Sequence, residues 1–186
     1  FNDFRSTSIL LEEINSNISD LNASFSIILI NDASTEEKNL ENKNLNKIKS
    51  IKLINMRNNR GHARCIAAGL KHISENEDFD YVIPMDGDGE DRPEELIEFI
   101  KSAEKTPEQT IVGERVKRSE AFIFKFCYFF HKIITLVFTG HSIKFGNFTC
   151  LTKSTVEKMI NEKATWNSFS GALTKVEKNK FSIPSI

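Results

Sequence analysis

A chain of 186 residues is enough for one domain with a sizeable core. Hydrophobic residues make up 39% and charged residues 27%, which excludes a disordered chain and fits a globular one. The formal net charge of -1 provides no global field, so nucleic acid is not an expected partner.

Taken in chain order, FNDFRST reads as the exit of a strand, and Phe1 stands where a complete chain would carry Met. The expectation is one domain over 1–186, a fragment of a longer protein. ILLEEINSNISDL, from about Ile9, spaces its apolar residues as a helix does. FSIILIND, Phe25 to Asp32, is a short β-branched run that ends in turn residues, the pattern of a buried strand. Thr35 opens a polar, Asn-rich helix or loop that runs to about Lys49. IKLINM is a second strand, and NNRGHARCIAAGLKHISE is a Gly-containing turn followed by a helix of small residues. DYVIPMD is a third strand. RPEELIEFIKSAEK is a helix with Pro93 in its first turn, where a missing N–H costs nothing. TIVGER is a fourth strand. Strands alternating with helices predict an α/β fold with a mostly parallel sheet.

Three of these strands leave the sheet on polar residues: Asn31-Asp32, Asn55 onward and Asp86 onward. Open α/β sheets bind ligands at the carboxyl ends of their strands, so one shared site is expected there. Within YVIPMDGDGEDRPEEL, Asp86, Asp88, Glu90 and Asp91 crowd the end of the third strand. Mg2+ and Mn2+ take oxygen ligands, commonly one or two carboxylates plus substrate phosphates. Gly87 and Gly89 let the backbone bend so that the carboxylates of Asp86 and Asp88 converge, with Glu90 or Asp91 assisting. An EF-hand loop is excluded by position: Asp91 stands where Gly is required and Ile97 where Glu is required. A favourable acidic first helical turn accounts for Asp91, Glu94 and Glu95, but Asp86 and Asp88 come too early for it.

Several segments together resemble family 2 glycosyltransferases of GT-A fold, in particular the branch with dolichyl-phosphate mannose synthase and bacterial polyprenyl-phosphate glycosyltransferases. ILINDASTEE resembles the family's Asp-Asp-x-Ser-Thr-Asp strand end, with Asn31 in place of the first Asp and Glu36 in place of the last. NRGHARCIAAGL resembles its Asn-x-Gly-His helix start. MDGDGEDRPEEL resembles its Asp-x-Asp loop, IVGERVKR its Val-Gly-x-Arg strand, and FGNFTCLTKSTVEKM its later strand–helix segment. The likeness covers about residues 1–161, in the family's order.

The resemblance implies a Rossmann-like GT-A domain whose first strand would precede Phe1. It implies Asp32, Gly61, His62 and Asp86 as nucleotide contacts and Asp86, Asp88 and Glu90 as metal ligands. Asp86, Asp88 and Asp91 become the catalytic acids, and Arg115 and Arg118 the contacts to an acceptor phosphate. The cofactor would be Mg2+ or Mn2+, and the donor a UDP- or GDP-sugar.

The residues themselves bear on the acceptor. A sugar hydroxyl needs a carboxylate base, but Asp91 is the last aspartate, and after Gly140 the only acids, Glu157, Glu162 and Glu177, stand in helix-like or lysine-rich surroundings. A phosphate acceptor needs cations instead, which Arg115, Lys117 and Arg118 can supply; a solvated basic turn is the plainer alternative. AFIFKFCYFFHKIITLVF, 121–138, is apolar apart from Lys125, His131, Lys132 and Thr135, which share one helical face. It fits a helix lying on a membrane surface, and equally a buried or dimer-facing helix. With no placed base, the expectation tips to a lipid-phosphate acceptor and to a cytoplasmic protein peripheral to the inner face of the membrane. Alternatives are a family 2 enzyme with a hydroxyl acceptor, a sugar-phosphate nucleotidyltransferase, and an incomplete domain without catalysis.

The remaining features read as structural. Cys65, Cys127 and Cys150 are widely spaced and form no CxxC pair, so reduced core thiols are expected. His72, His131 and His141 show no ligand spacing. Trp166 and Phe169 are expected to pack on the core.

Overall fold

Helix α1 (Phe4–Asn17) begins where Asp3 caps it, its carboxylate accepting from the Ser6 amide at 3.3 Å. The cap explains why the helix starts ahead of Ile9: Phe4 and Ser8 already lie on the buried face with Leu10, Leu11 and Ile14. The computed structural model describes residues 2–36, 45–115 and 145–185. Lys117, Arg118, Cys127, His131, His141 and the whole 121–138 segment lie outside the described residues, as does most of the Asn-rich stretch after Glu36.

Strands β1 (Phe25–Asn31) and β2 (Ile48–Asn55) pair in parallel, in a register that sets Leu29 against Leu53 and Asn31 against Asn55. β2 thus starts ahead of IKLINM, because Ile48 pairs with Phe25 and is itself buried. Helix α2 (His62–Asn76) follows and packs on β1. Gly69 lets it approach closely: a Cβ there would sit 3.3 Å from Ile30 Cγ1.

The third strand is shorter than its sequence suggests. Only Tyr81–Val82 joins a ladder, as β3. Pro84 brings no N–H to the sheet, so the chain runs on to Asp86 without pairing. A 3-10 turn (Pro93–Glu95) then leads into helix α3 (Leu96–Lys105), with Pro93 in the first turn as expected. Strands β4 (Thr110–Arg115) and β5 (Phe145–Thr152) follow. Helix α4 (Lys153–Asn161), a 3-10 turn (Lys163–Trp166), helix α5 (Phe169–Val176) and strand β6 (Lys180–Ser185) complete the described chain.

The larger sheet has the order β3-β5-β4-β6. β4 and β6 are parallel, whereas β5 runs antiparallel to both β3 and β4, so the sheet is mixed. Strand alternation divides its side chains between two helical layers. Ile111 and Cys150, paired across β4 and β5, face a core with Leu10 and Ile14 of α1 and Leu96, Phe99 and Ala103 of α3. Their neighbours Val112 and Leu151 face the other side, against Leu70 of α2, Val156 and Met159 of α4, and Phe169 and Leu173 of α5. Helices on both faces of a sheet make the α/β architecture the sequence predicts, consistent with a GT-A glycosyltransferase domain. Phe99 and Phe148 meet edge to face at 4.8 Å in the first core. Phe169 is buried as expected, but Trp166 is 37% exposed: the 3-10 turn buries Thr165 and leaves the indole at the surface.

Candidate active site

The carboxyl ends of β1 and β2 are tied together by polar side chains. Asn31, only 8% exposed, donates from Nδ2 to Asn55 Oδ1 at 2.9 Å, and its own Oδ1 accepts the Ser34 amide at 3.0 Å. An aspartate at position 31 would have only acceptors to offer; asparagine offers both halves of the link. The Met56 amide closes the same corner by donating to Asn31 O at 2.8 Å. Asn2 reaches this turn too, its Oδ1 accepting the Thr35 amide at 2.8 Å.

Asp32 lies one residue beyond and is 7% exposed. Its Oδ1 accepts the Arg60 amide at 2.7 Å and its Oδ2 the Gly61 amide at 2.8 Å. Burial alone would raise its pKa, but the hydrogen bonds from Arg60, Gly61 and Cys65 outweigh it and hold the carboxyl below the ordinary aspartate value. Asp32 therefore braces the turn that starts α2. Gly61 enters that turn with φ 84, the left-handed region where a Cβ is strained. In return, burial and then the Asp32 charge push the Cys65 thiol up to about 11.

This brace aims the start of α2 at the acidic loop. His62 Nε2 lies 3.3 Å from Asp86 Oδ1. The same ring nitrogen also meets a residue that sequence reasoning did not single out: Asn147 of β5, whose Nδ2 lies 2.9 Å away. The sole sequence signal for Asn147 was its place within FGNFTC, a segment of the family resemblance.

Within the loop, Asp91 Oδ2 accepts the Asp86 amide at 2.8 Å and Asp88 Oδ1 accepts the Glu90 amide at 3.0 Å. Asp91 thus fastens the loop across its base, and Gly89 makes the bend with φ 83. Gly87 lies near α1, 3.5 Å from Thr7 Oγ1 to a Cβ built at that position. Asp86 is half-buried, while Asp88 and Glu90 are exposed.

Among the described residues, no three of His, Cys, Asp and Glu are grouped as a metal site. The donor set still suits a hard cation: two loop carboxylates leave the remaining positions to substrate phosphates and water. Arg115 ends β4 in register with Ser185, and Arg118 lies outside the described residues. An open cleft of about 450 Å³ beside the loop is lined by Glu13, Gly89 and Arg92–Glu95, and involves neither Asp86 nor His62.

Of the predicted residues, Asp32 bonds to the Gly61 amide, His62 lies against Asp86, the Asp86 amide bonds to Asp91 and the Glu90 amide to Asp88, all at one edge of the strand ends. Among the described residues, no helix is long and apolar enough to cross a membrane. No curated protein matches the chain. The sequence pattern of glycosyl transferase family 2 matches residues 4–166, from α1 to the turn at Trp166. That span takes in the whole of this edge, and the chain accordingly belongs to glycosyl transferase family 2, enzymes that use nucleotide-sugar donors.

Proposed function

We propose that this domain transfers a sugar, with inversion, from a UDP- or GDP-sugar to a polyprenyl phosphate at the membrane face. The observation that carries the donor site is the contact of His62 with Asp86, which joins the start of α2 to the acidic loop. A helix start favours an anion, and a pair of acids beside it calls for a cation between them and that anion. Asp86 and Asp88 would hold Mg2+ or Mn2+, which when bound neutralises a diphosphate and stabilises it as a leaving group.

The chain's own residues divide the remaining work. Asp32 fixes the Arg60–Gly61 turn and would border the base. His62 would approach the diphosphate from the start of α2. Asp91 holds the loop in shape through the Asp86 amide. An oxygen of the acceptor phosphate would then attack the anomeric carbon from the face opposite the diphosphate. The bond to the diphosphate oxygen breaks with the electron pair leaving on that oxygen, and no proton needs to move.

The phosphate acceptor is supported by what the later acids do. Glu162 pairs with Lys175 at 2.6 Å, Glu177 pairs with Lys158 at 2.9 Å, and Glu157 is exposed on α4. Arg115 and Arg118 would receive the phosphate.

Calorimetry of UDP and GDP binding, with and without Mn2+, tests this on the wild type and on Asp88→Ala. The expected result is metal-dependent binding of one nucleotide, weakened about tenfold or more in the variant. Binding that ignores both metal and mutation would overturn the role of the loop. Transfer to a soluble hydroxyl acceptor in preference to a polyprenyl phosphate would overturn the acceptor.

A further inference from the structure

Arginine and lysine are placed differently in this chain. The six arginines among the described residues all stand beside strand exits. Arg5 comes just after Asn2, whose side chain bonds to the turn that leaves β1. Arg57, Arg60 and Arg64 follow β2, Arg92 closes the acidic loop and Arg115 ends β4. The lysines Lys52, Lys71, Lys153, Lys158 and Lys175, by contrast, each pair with a carboxylate. Arg57, Arg60 and Arg64 are exposed, and among the described residues they form no ion pair.

These three arginines also lie in the most one-sided part of the sequence. From residue 42 to residue 74 there is no aspartate or glutamate, and eight lysines and arginines fall within that stretch. It includes β2, which among the described residues pairs only with β1 and so borders one side of its sheet. The backbone beneath the arginines is held firmly. The Met56 amide, next to Arg57, donates to Asn31 O at 2.8 Å, the Arg60 amide to Asp32 at 2.7 Å, and the Arg64 amide to Gly61 O at 3.1 Å. Three cations on a fixed turn, without an internal carboxylate, leave their charge to an outside partner.

We propose that Arg57, Arg60 and Arg64 form the surface by which this domain settles on anionic phospholipid, with its strand exits turned to the headgroups. The guanidinium suits that partner, because its planar fork grips phosphate oxygens in pairs and it is less strongly hydrated than an ammonium. The phosphate of a membrane-borne acceptor lies at headgroup height, where this surface would hold the strand exits. The acids of the neighbouring loop repel the same headgroups, so the domain rests on its β2–α2 flank. This surface rests on the lipid-phosphate reading above and adds to it the means of contact.

Vesicle flotation of the full chain tests this, with phosphatidylcholine alone or mixed with phosphatidylglycerol, and with neither nucleotide nor acceptor present. The wild type should float only with the mixed vesicles, and less so as salt rises. Changing Arg57, Arg60 and Arg64 together to serine should lower the partition coefficient about 100-fold. Changing all three to lysine keeps the charge and should retain most of the binding. Serine at the exposed Lys101, Lys105 and Lys163, an equal loss of charge elsewhere, should change it by no more than about threefold. Should the triple serine variant fold poorly, Arg57→Ser with Arg64→Ser decides, with an expected loss of about 25-fold.

Equal binding to neutral and mixed vesicles would overturn the proposal, as would binding to neither. So would an equal loss on removing the arginines and the distant lysines. Release by inorganic phosphate at constant ionic strength would mark a single-phosphate pocket and overturn it too, as would tighter binding to single-stranded RNA than to the vesicles. The flotation assay contains no substrate, so its failure strikes this surface alone. A wild type that floats with mixed vesicles but transfers sugar to a soluble hydroxyl strikes the acceptor reading alone.

Discussion

Replacing Asp32 by asparagine separates the brace from everything else at this site. The side chain keeps its shape, but one oxygen that accepts from Arg60 at 2.7 Å or Gly61 at 2.8 Å becomes a donor facing a donor. Losing one hydrogen bond to a buried charged group costs about 1.5–3 kcal/mol. For a domain of this length, Asp32→Asn should lower the melting temperature by about 4–10 °C. Circular dichroism melts at several pH values provide the check. A carboxylate whose folded pKa is depressed contributes fully above its unfolded pKa, and loses that contribution as pH falls through the folded value. The gap between wild type and variant should therefore be full at pH 7 and should close only in acid, at and below the ordinary aspartate range. A variant that melts with the wild type at pH 7 would refute the bracing role. A gap that widened on acidification would refute the sign of the shift.

Two further predictions concern the interior. Gly113→Ala would put a Cβ 2.9 Å from Ser185 Cβ and 3.3 Å from both Phe148 O and Phe99 Cζ, where backbone and core close in from three sides. It should destabilise the domain by about 1–3 kcal/mol in urea unfolding, with no selective loss of nucleotide binding. Burial and the Asp32 charge push the Cys65 thiol up to about 11, and burial alone pushes Cys150 up to about 12. Alkylation of these two cysteines at pH 8, followed by peptide mass spectrometry, should be on the order of 100-fold slower in the folded than in the unfolded chain. Cys65 should label faster in Asp32→Asn, where the neighbouring charge is gone.

The layers were legible because their signal is local. Ile111 and Val112 differ by one residue and so face opposite helices, and the alternation of strands and helices along the chain announced both layers. The acidic loop was legible because Asp86 and Asp88 come before any helical turn that would excuse them. Other features depend on partners that spacing does not encode. β5 runs antiparallel to β3 and β4, and nothing in its composition distinguishes that direction from a parallel one. Asn55 matters because it is level with Asn31 across a parallel pair. Asn147 is an unremarked polar residue in an apolar strand until the fold sets it against His62. Trp166 was misjudged because aromatic residues favour cores on average, whereas here a one-turn 3-10 segment turns it outward.

The bond from Asn147 to His62 spans 85 residues of chain. Contacts of such separation form only after the intervening segments have found their places. A partly folded chain can already own α2 and the acidic loop, yet it lacks the strand that fixes how they meet. Nucleotide affinity should accordingly be a property of the finished domain and of no shorter piece. A ligand present during folding would then stabilise the finished state alone, by an amount that grows with the logarithm of its concentration over its dissociation constant.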